Sequence, residues 1–130
     1  MGEKERRLKV VLDTNILVSA LGWRGNPHKI LERVVNGEIE LYACKEQLLE
    51  LSRVLEYPKF AFSYEQKARF KEFISRVALL VEITGKLDIV VKDPSDNFIA
   101  ECALVSGADL LVTGDPHLLS IKNIGKVRIT

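Results

Sequence analysis

The sequence predicts an α/β domain built on a parallel sheet, and two patterns support that prediction. Short runs rich in Val, Ile and Leu alternate along the chain with segments whose apolar residues have helical spacing. Three of these runs are followed by an aspartate and a helix-start signal, as buried parallel strands that lead into helices are. A chain of 130 residues, 47% of them hydrophobic, is long enough for one core but not for two. We therefore expect a single domain over residues 1–130, with residues 1–8 as a charged extension.

The first part of the chain predicts two strands and three helices. A strand covers about Lys9 to Leu12, and the helix that follows it ends at Gly22. A second helix from about Pro27 to Val35 begins with a proline suited to the first helical turn. A second strand over Ile39–Ala43 and a third helix over Glu46–Glu56 complete this part of the fold.

A fourth helix is predicted from Ser63, which forms a capping-box pattern with Gln66. Its apolar stripe consists of Phe70, Phe73, Ile74, Val77 and Val81. Basic side chains lie largely off this stripe, and they are Lys67, Arg69, Lys71 and Arg76. We expect these four to contact a nucleic-acid backbone, although a face turned to solvent or to a second subunit is the alternative.

The last part of the chain predicts a third strand at about Ile89–Val91 and a fifth helix over Pro94–Ser106. A fourth strand at Leu110–Thr113, a short helical turn after Pro116 and a final strand over Val127–Ile129 follow. The predicted sheet thus contains about five strands.

Composition narrows the class of protein. The net charge is +1, no apolar stretch approaches the length of a membrane span, and the charged N-terminus does not have the form of a signal peptide. We therefore expect a cytoplasmic protein that makes no contact with a membrane. Cys44 and Cys102 have no metal-binding or redox spacing, so apolar packing is the expected role of both.

Three aspartates carry the strongest functional signal. Asp13, Asp96 and Asp115 each come shortly after a predicted strand. The carboxyl ends of parallel strands lie at one edge of a sheet, where ligands bind, so these three carboxylates are expected to meet. Like charges at close range raise one another's energy unless a cation relieves them, which predicts a site for a hard metal ion.

Helix capping is the alternative explanation for several of these acids. Asp93 and Asp115 both precede a proline in a helix-start pattern, and Asp96 suits the positive end of a helix dipole. Asp13 with Thr14 and Asn15 can cap the first helix, or the carboxylate can bind a metal while the other two orient ligands or bind phosphate. Helical periodicity places Glu50 opposite Leu48, which predicts a solvated glutamate.

Four stretches of the chain resemble the PIN domain family of metal-dependent nucleases. They are Val11–Ala20, Leu48–Leu55, Asp93–Ala100 and Ala108–Asp115. The resemblance implies that Asp13, Glu50, Asp96 and Asp115 hold Mg²⁺ or Mn²⁺. For Glu50 this contradicts the solvated position that helical periodicity predicts. It also implies that Asp93 is an accessory acid, that Asn15 and Thr113 are polar supports, and that helices flank a sheet of strand order 3-2-1-4-5.

The resemblance is greatest to single-domain prokaryotic members regarded as toxins of toxin–antitoxin systems. It implies a metal-dependent endoribonuclease that cleaves single-stranded RNA, with an antitoxin protein as partner and a homodimer as the assembly. Two other functions remain open, a catalytically silent RNA-binding module and a phosphotransfer receiver domain. A receiver needs a lysine beyond a later strand, where this sequence has Thr113-Gly114-Asp115.

Overall fold

The computed structural model describes residues 6–88 and 94–130, which form a sheet with helices packed against it. The strands are β1 (Leu8–Leu12), β2 (Ile39–Cys44), β3 (Ala78–Val81), β4 (Leu110–Val112), β5 (Asn123–Ile124) and β6 (Val127–Ile129). The helices are α1 (Thr14–Gly22), α2 (Asn26–Val35), α3 (Lys45–Leu55), α4 (Tyr64–Val77), α5 (Pro94–Ser106) and α6 (Pro116–Ile121). A short 3-10 turn, Pro58–Phe60, lies between α3 and α4. None of these described helices is long and apolar enough to cross a membrane.

The six described strands lie in the order β3-β2-β1-β4-β6-β5. All neighbouring pairs are parallel except the antiparallel pair of β5 and β6. The predicted α/β class with a largely parallel central sheet is confirmed. Two of the described strands were not predicted: β3, which lies at one edge beside β2, and the two-residue β5, which pairs with β6 at the other edge.

The side chains of β1 alternate between two cores, one on each face of the sheet. Val10 and Leu12 pack with apolar residues of α1, α2, α3 and α4. Val11 points to the other face, where it packs with residues of α5 and α6. Strand residues covered on both faces are apolar at consecutive positions, which explains the run Val10-Val11-Leu12 at the end of β1. The three-layer arrangement is therefore confirmed.

The prediction for the fourth helix was wrong at its C-terminal end. The helix ends at Val77, and the chain continues directly into β3, which pairs with β2. Val81, which we assigned to the helical stripe, is a strand residue and packs against the core on the opposite face of the sheet. A short apolar run is compatible with either a helix or a buried strand, so the pairing with β2 decides between them. The strand predicted at Ile89–Val91 lies outside the described residues.

The start of the fourth helix and the environment of the cysteines agree with the predictions. The backbone N–H of Gln66 donates to Ser63 Oγ over 3.1 Å, and the Ser63 N–H donates to Gln66 Oε1 over 2.8 Å, which completes the capping box. Cys44 and Cys102 are both buried, and neither is part of a disulfide. At the N-terminus, Leu8 belongs to β1 rather than to the predicted extension.

Glu101 on α5 fixes the segment that follows β3. Its carboxylate is 6% exposed and accepts hydrogen bonds from the backbone N–H and hydroxyl of Thr84 and from the Gly85 N–H. Burial alone would raise the pKa of Glu101, but these hydrogen bonds and one from Leu87 outweigh it and hold the pKa below its ordinary value. The charged carboxylate therefore stabilises the fold.

We expect Glu101→Gln to lower the free energy of unfolding by about 2 kcal/mol at neutral pH, since hydrogen bonds to a charged acceptor are lost. Because the folded-state pKa is lowered, the stabilisation is complete above the ordinary glutamate pKa of about 4.3 and is lost as pH falls through the folded-state value. Chemical denaturation at pH 7 and pH 3 measures both effects. The exposed Glu82→Gln is the matched control, and equal stabilities of the two variants would contradict this account.

Candidate active site

The four acids predicted to form a site line one cavity of about 350 Å³. Asp13 follows the end of β1, Asp115 lies just beyond β4, Glu50 projects from α3, and Asp96 lies in the first turn of α5. The described lining consists of Asp13, Thr14, Asn15, Glu50, Arg53, Val54, Tyr57, Lys59, Asp96 and Asp115. Side chains that are far apart in sequence thus meet beside the carboxyl ends of β1 and β4, where the sequence predicted a ligand site.

Asp13 is held by the strand beside it. Its backbone N–H donates to the Val112 carbonyl over 2.9 Å, and its carboxylate Oδ2 accepts a hydrogen bond of 2.7 Å from Thr113 Oγ1. That hydroxyl in turn accepts from the Asp115 N–H over 3.0 Å. Asp13 is the N-cap residue of α1, but its side chain makes no standard capping hydrogen bond to the described residues of that helix, so capping alone does not explain this residue.

The environment of Asp13 disfavours its charged form. Burial of the carboxyl group, which is 7% exposed, raises the pKa of Asp13 above its ordinary value. Hydrogen bonds from the Thr113 hydroxyl and the Thr14 backbone act in the opposite direction, while the negative charges of Glu50 and Asp115 raise the pKa further. The protein therefore holds acidic groups close enough to repel one another, and a cation would relieve that repulsion.

Glu50 belongs to the cavity, and the periodicity-based interpretation of a solvated side chain was wrong. The side chain is 15% exposed, Oε1 accepts a hydrogen bond from the Thr14 hydroxyl, and Oε2 lies 3.6 Å from the Arg53 guanidinium. Helix α3 packs against α1, α4 and α5, so it is buried on more than one side. Gln47 and Val54, which share the side of Glu50, are buried as well.

The remaining predicted acids are Asp115, Asp96 and Asp93. Asp115 caps α6, because its Oδ1 accepts from the His117 N–H over 2.9 Å, and it also lines the cavity. Asp115 therefore both caps a helix and lines the site. Asp96 is buried at the cavity wall. Asp93 lies outside the described residues.

The lining has the chemistry of a hard-metal site. Its donor atoms are carboxylate, hydroxyl and amide oxygens, which are the ligands that Mg²⁺ and Mn²⁺ prefer, and the cationic groups of Arg53 and Lys59 share the lining with them. Within residues 6–88 and 94–130, however, no three acidic, cysteine or histidine side chains are already grouped as ligands of one ion. Glu50 and Asp115 are instead held by their own hydrogen-bond partners. The donor set fits such a metal, while its arrangement is looser than a closed ligand shell.

Several residues of the site were not predicted from the sequence. Arg53 lies three positions after Glu50 on α3, a spacing that places both on one side of a helix. Tyr57, just before the 3-10 turn, carries no pattern that indicates a site, whereas Lys59 within the turn begins the basic run that extends to Arg76 in the sequence. The buried Gln47 donates from Nε2 to the Leu12 carbonyl and so fixes the end of β1 next to Asp13. Its Oε1 accepts no hydrogen bond from any described residue.

The basic residues predicted to hold nucleic acid lie elsewhere. Lys67, Arg69, Lys71 and Arg76 are on α4, and none is part of the described cavity lining. Lys67 Nζ lies 2.6 Å from the Glu56 carboxylate, and Arg76 lies 2.8 Å from Glu72 one turn away. Two of the four charges are thus already paired, and the contact of this helix with nucleic acid stays a prediction.

Comparison with known proteins agrees with this architecture. The model of the PIN domain family matches residues 9–117. An uncharacterized protein of Methanocaldococcus jannaschii is 29% identical over 124 residues, which are 92% of this chain and 79% of that protein. A chain in the crystal structure of VapBC2 from Rickettsia felis, bound to a DNA fragment from their promoter, is similar with a TM-score of 0.66. That match covers 95% of this chain and 98% of the other at 16% identity, so it supports the fold alone.

Proposed function

Because this chain belongs to the PIN domain family, we propose that it is a metal-dependent endoribonuclease that cleaves single-stranded RNA in the acidic cavity. The observation that supports the proposal most strongly is the meeting of Asp13, Glu50, Asp96 and Asp115 in one cavity. The family match gives no support to a phosphotransfer receiver domain. A silent RNA-binding module differs from the proposed enzyme only in lacking cleavage, which an assay decides.

The four acids are the proposed ligands of Mg²⁺ or Mn²⁺, with Asp93 as an accessory acid. Such an ion supplies charge stabilisation at the phosphodiester and lowers the pKa of water. The thiol groups of the protein are buried, and the described lining of the cavity contains carboxylates but no serine–histidine pair. We therefore assign attack on the phosphodiester to water, with no covalent intermediate on the protein.

The residues around the acids orient them and bind the substrate in this proposal. Thr113 donates to one oxygen of Asp13, and Thr14 donates to one oxygen of Glu50, whose other oxygen lies 3.6 Å from the Arg53 guanidinium. These contacts orient the two carboxylates. Asn15 is exposed at the cavity and can donate its amide to a phosphate oxygen. Arg53 and Lys59 place positive charge on the same lining, where it offsets the charge of the RNA backbone.

Cleavage assays on three substrates of one sequence test the proposed substrate class. We expect the wild-type protein to cleave single-stranded RNA with Mg²⁺ or Mn²⁺, to cleave the RNA duplex and single-stranded DNA much more slowly, and to be inactive in EDTA. Unpaired strands can bend into a cavity of this size, whereas a duplex cannot. If the protein binds RNA but cleaves none with either metal, it is a catalytically silent RNA-binding module and not a nuclease.

The basic residues provide a second test, which compares two lysine sets. Neutralising Lys59 is expected to flatten the salt dependence of RNA binding by about 0.7 in log–log slope, the loss of one phosphate contact on a single strand. We expect the double change Lys67→Gln with Lys71→Gln to weaken binding equally for different RNA sequences, because phosphate contacts carry no base preference. Fluorescence anisotropy at several salt concentrations measures both effects. An unchanged slope in the double variant would show that α4 holds no RNA.

We further propose that the protein acts as the toxin of a toxin–antitoxin pair, as a homodimer. The motif resemblance and the fold shared with a chain of VapBC2 support this role. Expression of the wild-type protein in a bacterial host is expected to arrest growth, whereas expression of Asp13→Asn is not. Arrest by both proteins would show that toxicity does not depend on cleavage. Sedimentation equilibrium of the purified protein tests the dimer.

A further inference from the structure

A group of aromatic side chains adjoins the acidic cavity. Tyr57 lines that cavity, and its ring is stacked on Phe60 with centroids 6.3 Å apart and an interplanar angle of 4°. Trp23 lies 5.9 Å from Phe60 and 5.7 Å from Phe62, tilted against both rings. These four residues, Trp23, Tyr57, Phe60 and Phe62, form what we call the aromatic patch. It leads from the acids of the site toward the end of α1.

The inner rings of the patch are fixed by packing. Phe60 and Phe62 are partly buried against the core that contains α1 to α4, and Phe62 meets Phe70 edge-on at 5.1 Å. Phe62 also approaches Gly22 so closely that a Cβ there would lie 2.8 Å from its Cζ atom. A larger residue at the end of α1 would therefore force the Phe62 ring to shift. Aromatic rings held in this way can receive a ligand at little cost in conformational entropy.

The outer rings are not needed for that packing. Trp23 is 52% exposed and Tyr57 is 39% exposed, although both are large apolar side chains. Rings that are supported from behind and open to solvent are the arrangement on which unpaired nucleic-acid bases stack. A duplex does not fit this role, because its bases already stack on one another.

Positive charge accompanies the patch. Lys59 Nζ lies 5.2 Å from the centroid of the Phe60 ring and lines the acidic cavity as well. Arg53 lines the same cavity with a largely exposed side chain, and the exposed Arg24 follows Trp23 directly. Stacking surfaces beside cationic groups match the two components of a single strand, its bases and its phosphates. An apolar protein segment would use the rings but not the cations.

We propose that Tyr57 and Trp23, both supported by Phe60, form a stacking site for the unpaired bases next to the phosphate that enters the acidic cavity. The proposal rests on the proposed function, because it takes single-stranded RNA as the ligand. Tyr57 receives the base closest to the cavity, since it is the patch residue in the cavity lining. Trp23 receives a base farther along the strand. Stacking of this kind tolerates all four bases, so it strengthens binding without dictating sequence.

Trp23 reports on its own site, because it is the single tryptophan of the chain. On an Asp13→Asn background, which prevents cleavage, a single-stranded RNA decamer is titrated against an abasic strand of equal length and charge. We expect saturable quenching of Trp23 fluorescence by the decamer and little quenching by the abasic strand. Tyr57→Ala should weaken decamer binding about tenfold, the loss of one stacked base. Tyr64→Ala, at an 83% exposed tyrosine that is not part of the cavity lining or the patch, should leave it unchanged.

Each outcome separates this proposal from the proposed function. Equal quenching by the two strands, or equal affinity of Tyr57→Ala and Tyr64→Ala, would overturn the stacking site. RNA cleavage by the wild-type protein without any change in Trp23 emission would overturn the stacking site alone, and would leave the patch to a protein partner. Base-dependent quenching in a protein that cleaves no RNA would support the stacking site and overturn the ribonuclease. The comparison of the RNA decamer with the abasic strand needs no substitution of an aromatic residue. It therefore tests the proposal even if Tyr57→Ala fails to fold.

Discussion

Replacing Asp13 with Asn is expected to lower the rate of RNA cleavage by about 100-fold or more, the scale of losing a group that stabilises charge in a transition state. Asparagine has the same size and can still accept the hydrogen bond from Thr113, but it carries no negative charge for a cation. The fold should therefore persist while the proposed metal affinity falls. Steady-state cleavage of labelled RNA, with circular dichroism to confirm folding, measures the effect. The same loss is expected for Asp96→Asn, and wild-type cleavage by that variant would remove the role of Asp96.

The same substitution is expected to stabilise the protein in the absence of metal. The raised pKa of Asp13 means that the folded state disfavours the carboxylate, so the folded state loses stability as pH rises through that pKa. Asp13→Asn should then raise the melting temperature at pH 7 in EDTA, and the difference should vanish below pH of about 3.9, where both states are protonated. A lower melting temperature at pH 7 would contradict a repulsive acidic site.

Asp109→Asn is the matched control for both effects. This aspartate precedes β4, accepts a hydrogen bond of 2.9 Å from the Lys9 N–H and pairs with Arg6 at 2.7 Å. These contacts hold the pKa of Asp109 below its ordinary value, so its charge stabilises the folded state. Its replacement should therefore lower stability at neutral pH and leave cleavage unchanged. A gain in stability for Asp13→Asn together with a loss for Asp109→Asn would show that the gain arises from the acidic site and not from the removal of any carboxylate.

Glu50→Gln is expected to reduce cleavage by about 100-fold, whereas Glu46→Gln keeps nearly wild-type activity. Both glutamates lie on α3, but only Glu50 lines the cavity with the three aspartates. Glutamine retains the hydrogen bond from Thr14 and loses the charge that faces Arg53 and the cavity. Single-turnover cleavage of labelled RNA by the two variants gives the comparison directly. Equal, near-native activities would place Glu50 outside the chemistry.

Local sequence patterns were sufficient to predict the strands that are buried on both faces. The apolar runs Val10-Val11-Leu12 in β1 and Leu110–Val112 in β4, together with the polar residues after them, predicted the sheet edge at which Asp13 and Asp115 meet. Strand β3 could not be predicted in the same way, because Ala78–Val81 continues the apolar spacing of the helix before it. Only its hydrogen bonds with β2, a strand distant in sequence, distinguish the two conformations there.

The residues that line the cavity also divide into those that the sequence predicted and those that it did not. Periodicity failed for Glu50, because it assumes that a helix has one buried side, and α3 has more than one. The resemblance to a family placed that residue correctly, since it carries information about tertiary packing. Tyr57 had no local signal, because the packing of Phe60 against the core determines where its segment lies. Residues placed by tertiary contacts alone are thus the ones that reading a single sequence misses.

The central claim is that the acidic cavity cleaves RNA and depends on a divalent metal. The most direct test is a gel assay of one labelled single-stranded RNA with the wild-type protein and Asp13→Asn, each in EDTA, Mg²⁺ and Mn²⁺. We predict defined cleavage products from the wild-type protein in Mg²⁺ or Mn²⁺, none in EDTA, and none from Asp13→Asn under any condition. Cleavage by the wild-type protein in EDTA, or cleavage by Asp13→Asn at the wild-type rate, would contradict the claim.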